Sequence, residues 1–206
     1  MTPPSRNPSR PLTRRRFLVG GGAAAVALGS VGIAAAGSLT ENLHGSSFAA
    51  SRALSGNAPH WLELVNTHTA ESLQIVYRNA GGLVTPALAR LQWLLRDHRR
   101  NEAAPIDVGV YDQLVALAMA AGVEPRYEVI SGYRSPQTNA VLRGRSGGVA
   151  TKSLHMQGRA IDVRLHGVSC ADLRDLAIAA GRGGVGYYRS SDFVHLDTGR
   201  VRRWAG

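Results

Sequence analysis

Residues 59–206 are expected to form an α+β domain, a small and mostly antiparallel sheet flanked by helices. Three observations carry this expectation. Short segments alternate apolar and polar residues with the period of two that a half-buried strand requires. Longer segments show helical spacing bounded by start and stop residues. The two kinds do not alternate regularly along the chain, which argues against a doubly wound parallel sheet.

The elements follow in order. LELVN (62–66) and SLQIVY (72–77) both alternate, and the intervening THTAE predicts a hairpin. TPALARLQWLLRDHRR begins with Thr85 as the expected N-cap and Pro86 at the first helical position, with apolar residues at 88, 91, 94 and 95 on one face. DVGVYDQLVALAMAAG predicts a second helix, capped by Asp107 and stopped by Gly122. YEVIS (127–131) is a strand, and SPQTNAVLRG a short helix after a turn. AIDVRL (160–165) is a strand. Ser169 and Asp172 have the spacing of a capping box that opens a helix reaching Ala180. VGYY and FVHLDT are two further strands joined by RSSD.

The first 58 residues read differently. Thr13-Arg14-Arg15-Arg16-Phe17-Leu18 precedes a Gly- and Ala-rich apolar run to Gly37. Paired arginines followed by a weakly hydrophobic segment resemble a twin-arginine export signal, so residues 1–37 are expected to be a signal or an anchor recognised by the twin-arginine machinery. The expected location is therefore the periplasm or cell envelope, with membrane attachment only through the leader if it is kept. Residues 38–58 are small and polar without periodicity and read as a linker.

The net charge of +10 is partly a property of the leader, since Arg6, Arg10, Arg14, Arg15 and Arg16 supply half of it. The remainder is moderately basic, which suits an acidic polymer or surface. No dense Lys/Arg tract with interleaved aromatics follows the leader, so a nucleic-acid partner is not expected. The single cysteine, Cys170, excludes an intramolecular disulfide and a thiolate metal cage; in a helical pattern it reads as a small buried apolar residue.

The chemistry gathers around SLHMQGRAIDV (153–163), where a carboxylate stands between Ile161 and Val163 in an apolar strand. A buried carboxylate needs a partner. Of the seven histidines, His44 lies in the linker, His60, His68 and His98 have polar neighbours, and His166 follows a strand next to Gly167. His155 and His195 lie beside or within apolar strands and near carboxylates. In FVHLD, period two places Phe193, His195 and Asp197 on one face, with Val194 and Leu196 on the other. If this strand neighbours AIDVRL, Asp162 and His195 point into one cleft, and Gly158 allows the chain to bring His155 back beside them. Two imidazoles and one carboxylate make three protein ligands for tetrahedral zinc, with a fourth position for water. The same donors accept other divalent ions, and spacing alone also fits a core histidine hydrogen-bonded to a buried aspartate.

ISGYRSPQTNAVLR, SLHMQGRAIDV and GGVGYYRSSDFVHLDTGRVRRW together resemble the zinc peptidases that cleave D-amino-acid-containing peptides of the bacterial cell wall. This superfamily includes D-Ala-D-Ala peptidases, murein endopeptidases and the hedgehog-like fold. LVNTHTAE and LRDHR fit its periplasmic murein endopeptidase branch, so the resemblance spans about residues 58–206. It implies a hedgehog/DD-peptidase-like domain over 59–206, a zinc cofactor, and hydrolysis of cross-links or stem peptides of peptidoglycan. It implies His155, Asp162 and His195 as metal ligands, and Arg134, with Tyr133 beside it, as the group that binds substrate or offsets charge on the developing oxyanion. Many members carry a histidine two residues before the last ligand, where this chain has Phe193. Asp192, three residues before His195, is the expected proton-transfer group; Asp197 competes for that role but is read as orienting a ligand imidazole. The loss at Phe193 keeps a second reading open, a non-catalytic zinc-stabilised module that binds the wall.

Overall fold

The computed structural model describes residues 58–145 and 149–206. The leader expected at 1–37 and the linker up to residue 57 lie outside the described residues.

Alternation of apolar and polar residues sets β1 (His60–Asn66) and β2 (Ser72–Asn79) against each other as an antiparallel hairpin, with Leu64 opposite Leu73. Asn66 closes the turn by accepting the N–H groups of His68 and Thr69 on its side-chain oxygen. His60 is a buried residue at the start of β1. A two-residue β3 (Gly82–Leu83) extends the hairpin.

Helix α1 (Thr85–Leu94) carries Pro86 in its first turn as expected, but Thr85 is already helical and Val84 takes the flanking position without a side-chain cap. Helix α2 (Val108–Ala121) follows its sequence signals: Asp107 accepts the N–H of Gly109, and Gly122 ends the helix at φ 70°. The chain then enters β4 (Arg126–Ser131), which lies beside β1 and parallel to it. A crossover containing helices returns the chain to the same end of the sheet, and that forces a parallel pair.

After α3 (Pro136–Arg145) and a 3-10 turn at Leu154–Gln157, β5 (Ala160–Leu165) runs antiparallel to β4. Helix α4 (Cys170–Ala180) begins at Ser169, whose Oγ accepts the N–H of Asp172 and donates to its carboxylate, and ends at Gly181. β6 (Gly184–Tyr188) and β7 (Phe193–Asp197) form the last hairpin, and β8 (Arg202–Ala205) lies parallel to β6.

The strand order is β3-β2-β1-β4-β5-β7-β6-β8. The expectation of a small, mostly antiparallel sheet is therefore corrected: among the described residues the sheet has eight strands and is mixed, with β1–β4 and β6–β8 parallel. The α+β class itself stands. Helices α2 and α4 pack on each other and on β1, β5, β6 and β7. Ile161, Val163, Val194 and Leu196 point into that core with Leu114, Leu117 and Leu173. Period two then turns Asp162 and His195 to the opposite face of the same strands.

Candidate metal centre

β5 and β7 are neighbours, and their antiparallel register puts Asp162 directly opposite His195. The third member arrives from the 3-10 turn. Its C-cap, Gly158, has φ 64°, and a Cβ there would stand 2.0 Å from the Pro105 carbonyl oxygen. Only glycine fits both the left-handed conformation and that approach. The turn buries His155 against β5, 3% exposed.

The three inward atoms form a small triangle. His195 Nδ1 lies 2.8 Å from Asp162 Oδ1, His155 Nε2 lies 3.3 Å from the same oxygen, and the two nitrogens are 3.1 Å apart. Two ligands held about 2.0–2.1 Å from a tetrahedral ion stand roughly 3.3 Å from each other, so the triangle has the size of a metal-ligand set.

The outer ring nitrogens fix which atoms carry protons. His155 Nδ1 lies 2.7 Å from the Gly132 carbonyl oxygen, which can only accept, so Nδ1 donates. His195 Nε2 faces Asp197 Oδ2 at 3.2 Å and donates to that carboxylate. Neutral imidazoles so held turn two lone pairs and a carboxylate oxygen toward one point. Three acceptors repel one another unless a cation or protons lie between them, and a divalent ion fits this donor chemistry. Without a metal, protons take the role. Burial pulls the His195 imidazole down, but hydrogen bonds and charge from Asp162 and Asp197 outweigh it and raise it to about 9. Burial opposes ionisation of Asp162, yet the His155 and His195 imidazoles hold its carboxyl well below the usual range.

Asp197 is fully buried and supports His195 from behind. Its Oδ1 accepts the N–H groups of Gly184 and Gly199, and its Oδ2 accepts from Arg202 at 2.6 Å. Against the cost of burial, His195, Arg202 and these two amides keep the carboxyl well below its ordinary value. Asp197 thus faces His195 from the side away from the triangle.

The triangle lies in a cavity of about 410 Å³ whose lining includes Arg134, Lys152, Ser153, Tyr188, Phe193, Arg202 and Trp204. Arg134 is one of these lining residues. Burial lowers its guanidinium, the Asp162 charge works against that, and it donates to Ser131 Oγ at 3.3 Å. Asp97 anchors the loop behind it by accepting from the N–H and the hydroxyl of Ser135.

Two expected residues are not brought to this cavity. Tyr133 donates its N–H to the Leu95 carbonyl and packs against the core, where burial followed by the Glu102 and Asp97 charges raises its phenol. Asp192 precedes β7 at φ 49°, with its side chain 70% exposed and 3.8 Å from Arg164. Its left-handed backbone lies outside the extended strand, and Asp192 lines a separate pocket with Cys170. Cys170 is buried as expected, and burial, followed by Asp192, pushes its thiol up to about 11.

Sequence reasoning missed Tyr188 and Trp204. Trp204 arrives on β8, its ring centroid 5.1 Å from that of His195. A Cβ at Gly186 would stand 2.6 Å from the indole, so this glycine makes the approach possible. The signal available was the pair GVGYY and RRW, but nothing local joins β6 to β8.

A sequence profile of the family described as peptidoglycan L,D-endopeptidase MepK matches residues 54–204. Over 151 residues the chain is 43% identical to the peptidoglycan L,D-endopeptidase MepK of Escherichia coli (strain K12), an alignment covering 73% of this chain and 83% of that protein. The protein of the same name from Shigella flexneri matches with the same identity and coverage. A probable peptidoglycan L,D-endopeptidase MepK from Haemophilus influenzae is 39% identical over 149 residues, 72% of this chain and 80% of its own.

Proposed function

This chain belongs to the peptidoglycan L,D-endopeptidase MepK family and is a metallopeptidase of peptidoglycan, and from that premise we propose that it cuts L,D cross-links with zinc held by His155, Asp162 and His195. The observation that carries the site is the acceptor triangle on the sheet face opposite the core. The family's enzymatic character favours this reading over the non-catalytic wall-binding module that Phe193 left open. We read the fold as the hedgehog/DD-peptidase-like one that the resemblance implies.

When bound, zinc supplies a Lewis acid that makes water a better nucleophile and polarises the scissile carbonyl. The protein's own residues do the rest. Gly132 and Asp197 hold the two imidazoles in fixed tautomers, so Nε2 of His155 and Nδ1 of His195 stay free to ligate. Arg134 places a positive charge where the carbonyl oxygen becomes negative. Asp162 is the only carboxylate among the described residues lining the cavity, and Asp192 stands outside it, paired with Arg164. We therefore do not assign the proton transfer to Asp192 as the chain is folded here.

As part of the same proposal, residues 1–37 act as a twin-arginine signal or anchor and the enzyme works beyond the inner membrane; Arg14 and Arg15 before the apolar run support this reading. No helix among the described residues is long and apolar enough to cross a membrane. Digestion of defined muropeptides by the purified protein, with products identified by mass spectrometry, tests the reading. Release of products from an L,D-cross-linked dimer, stopped by a chelator and restored by zinc, is expected. Cleavage of D,D cross-links alone would overturn the assigned bond, and cleavage unaffected by chelation would overturn the metal.

A further inference from the structure

Tyr188 lies in the cavity of the candidate metal centre, at the end of β6. Its surroundings fix both its ring and its hydroxyl. The ring stacks on Phe193 with centroids 4.6 Å apart and planes 17° from parallel. Phe193 shares the face of His195, two residues along β7, so the stack fastens Tyr188 beside the metal ligands.

The indole N–H of Trp204 donates to Tyr188 Oη at 3.2 Å. Indole nitrogen is a donor only, so Oη is the acceptor and the hydroxyl hydrogen must turn elsewhere. Among the described residues no acceptor takes that hydrogen, and the side open to it is the cavity. Trp204 in turn is held against the sheet at Gly186 and under the Arg202 guanidinium, 5.0 Å from the ring. Arg134 lines the same cavity. A fixed hydroxyl donor and a cation face the same space.

We infer that Tyr188 donates a hydrogen bond to the carbonyl oxygen of the peptide bond being cut, sharing with Arg134 the charge that develops there, with Trp204 as the residue that positions its hydroxyl. A donor aimed in advance at a growing negative charge acts mainly in the transition state. This rests on the peptidase reading above.

The test compares wild type, Tyr188→Phe and Trp204→Phe on a defined L,D-cross-linked muropeptide, with zinc content and affinity for a phosphinate analogue of the tetrahedral state measured alongside. Tyr188→Phe keeps the stacked ring and removes only the hydroxyl. It is expected to lower kcat by about 100-fold, the scale of one lost oxyanion donor. KM and zinc content should hold, and phosphinate affinity should fall with kcat. Trp204→Phe should show a smaller loss of the same kind. Undiminished kcat in Tyr188→Phe, or a loss traced to KM or to missing zinc, would overturn the inference while leaving the peptidase reading intact. Absence of hydrolysis by wild type would overturn both.

Discussion

Asp162 on β5 and His195 on β7 stand opposite each other in one antiparallel ladder, with Oδ1 and Nδ1 2.8 Å apart. Their neighbours in the same register, Ile161 opposite Leu196 and Val163 opposite Val194, belong to the hydrophobic core. The sheet therefore carries core on one face and the candidate metal centre on the other, and the core fixes the register on which that centre depends.

His155→Ala removes one corner of the triangle. Elemental analysis of the purified variant should show metal reduced to a trace, and lysis of purified peptidoglycan should be lost with it. Stoichiometric zinc in this variant would contradict the ligand assignment.

Asp197→Asn keeps the shape of the side chain but takes away the charge that Arg202 and His195 face. Metal affinity should fall about 10- to 100-fold in a chelator competition, the usual effect of losing a group that orients a ligand. Chemical denaturation should show a loss of about 2 kcal/mol, the scale of hydrogen bonds to a charged group, because Arg202 and His195 no longer face a carboxylate.

Gly158→Ala places a methyl group against the Pro105 carbonyl in a left-handed backbone. Urea unfolding should report a loss of at least about 2 kcal/mol. The turn that carries His155 would shift, so metal binding should weaken in the same variant.

Asp192→Asn should leave turnover within about twofold of wild type, as for a surface substitution away from the site. A large loss of kcat at unchanged zinc content would mean that Asp192 moves into the cavity during the reaction.

Asp97 gives a pH prediction. Burial pushes its carboxyl up, but Ser135, Thr138 and the amides of Ser135 and Arg99 outweigh this and lower it. A lowered folded-state value stabilises the protein above the unfolded value of about 3.9 and loses that contribution as pH falls through the folded one. Asp97→Asn should therefore cost about 2 kcal/mol at pH 6, by the scale of hydrogen bonds to a charged group. Denaturant melts should show this gap narrowing below about pH 4. A gap that stays constant from pH 6 to pH 2 would contradict the assignment.

What could be read from the sequence was local. Asp107 and Gly122 bracket α2, and Ser169 opens α4, because caps and left-handed stops act within a turn of the chain. Thr85 misled because a threonine beside proline also fits the first helical turn. The cluster of His155, Asp162 and His195 was legible for the same local reason: period two separates Asp162 and His195 from their apolar neighbours, and Gly158 marks the turn that returns His155.

The sequence by itself determined the α+β class, most of the elements and the three residues of the candidate centre. Only the tertiary structure decided the mixed sheet, since the parallel pairing of β1 with β4 and of β6 with β8 depends on crossovers that no local pattern encodes. Only it decided that Tyr133 and Asp192 turn away while Tyr188 and Trp204 turn in. A side chain's face follows from strand period, but the cavity it meets depends on which strands and loops lie alongside, and those contacts join residues far apart in the chain.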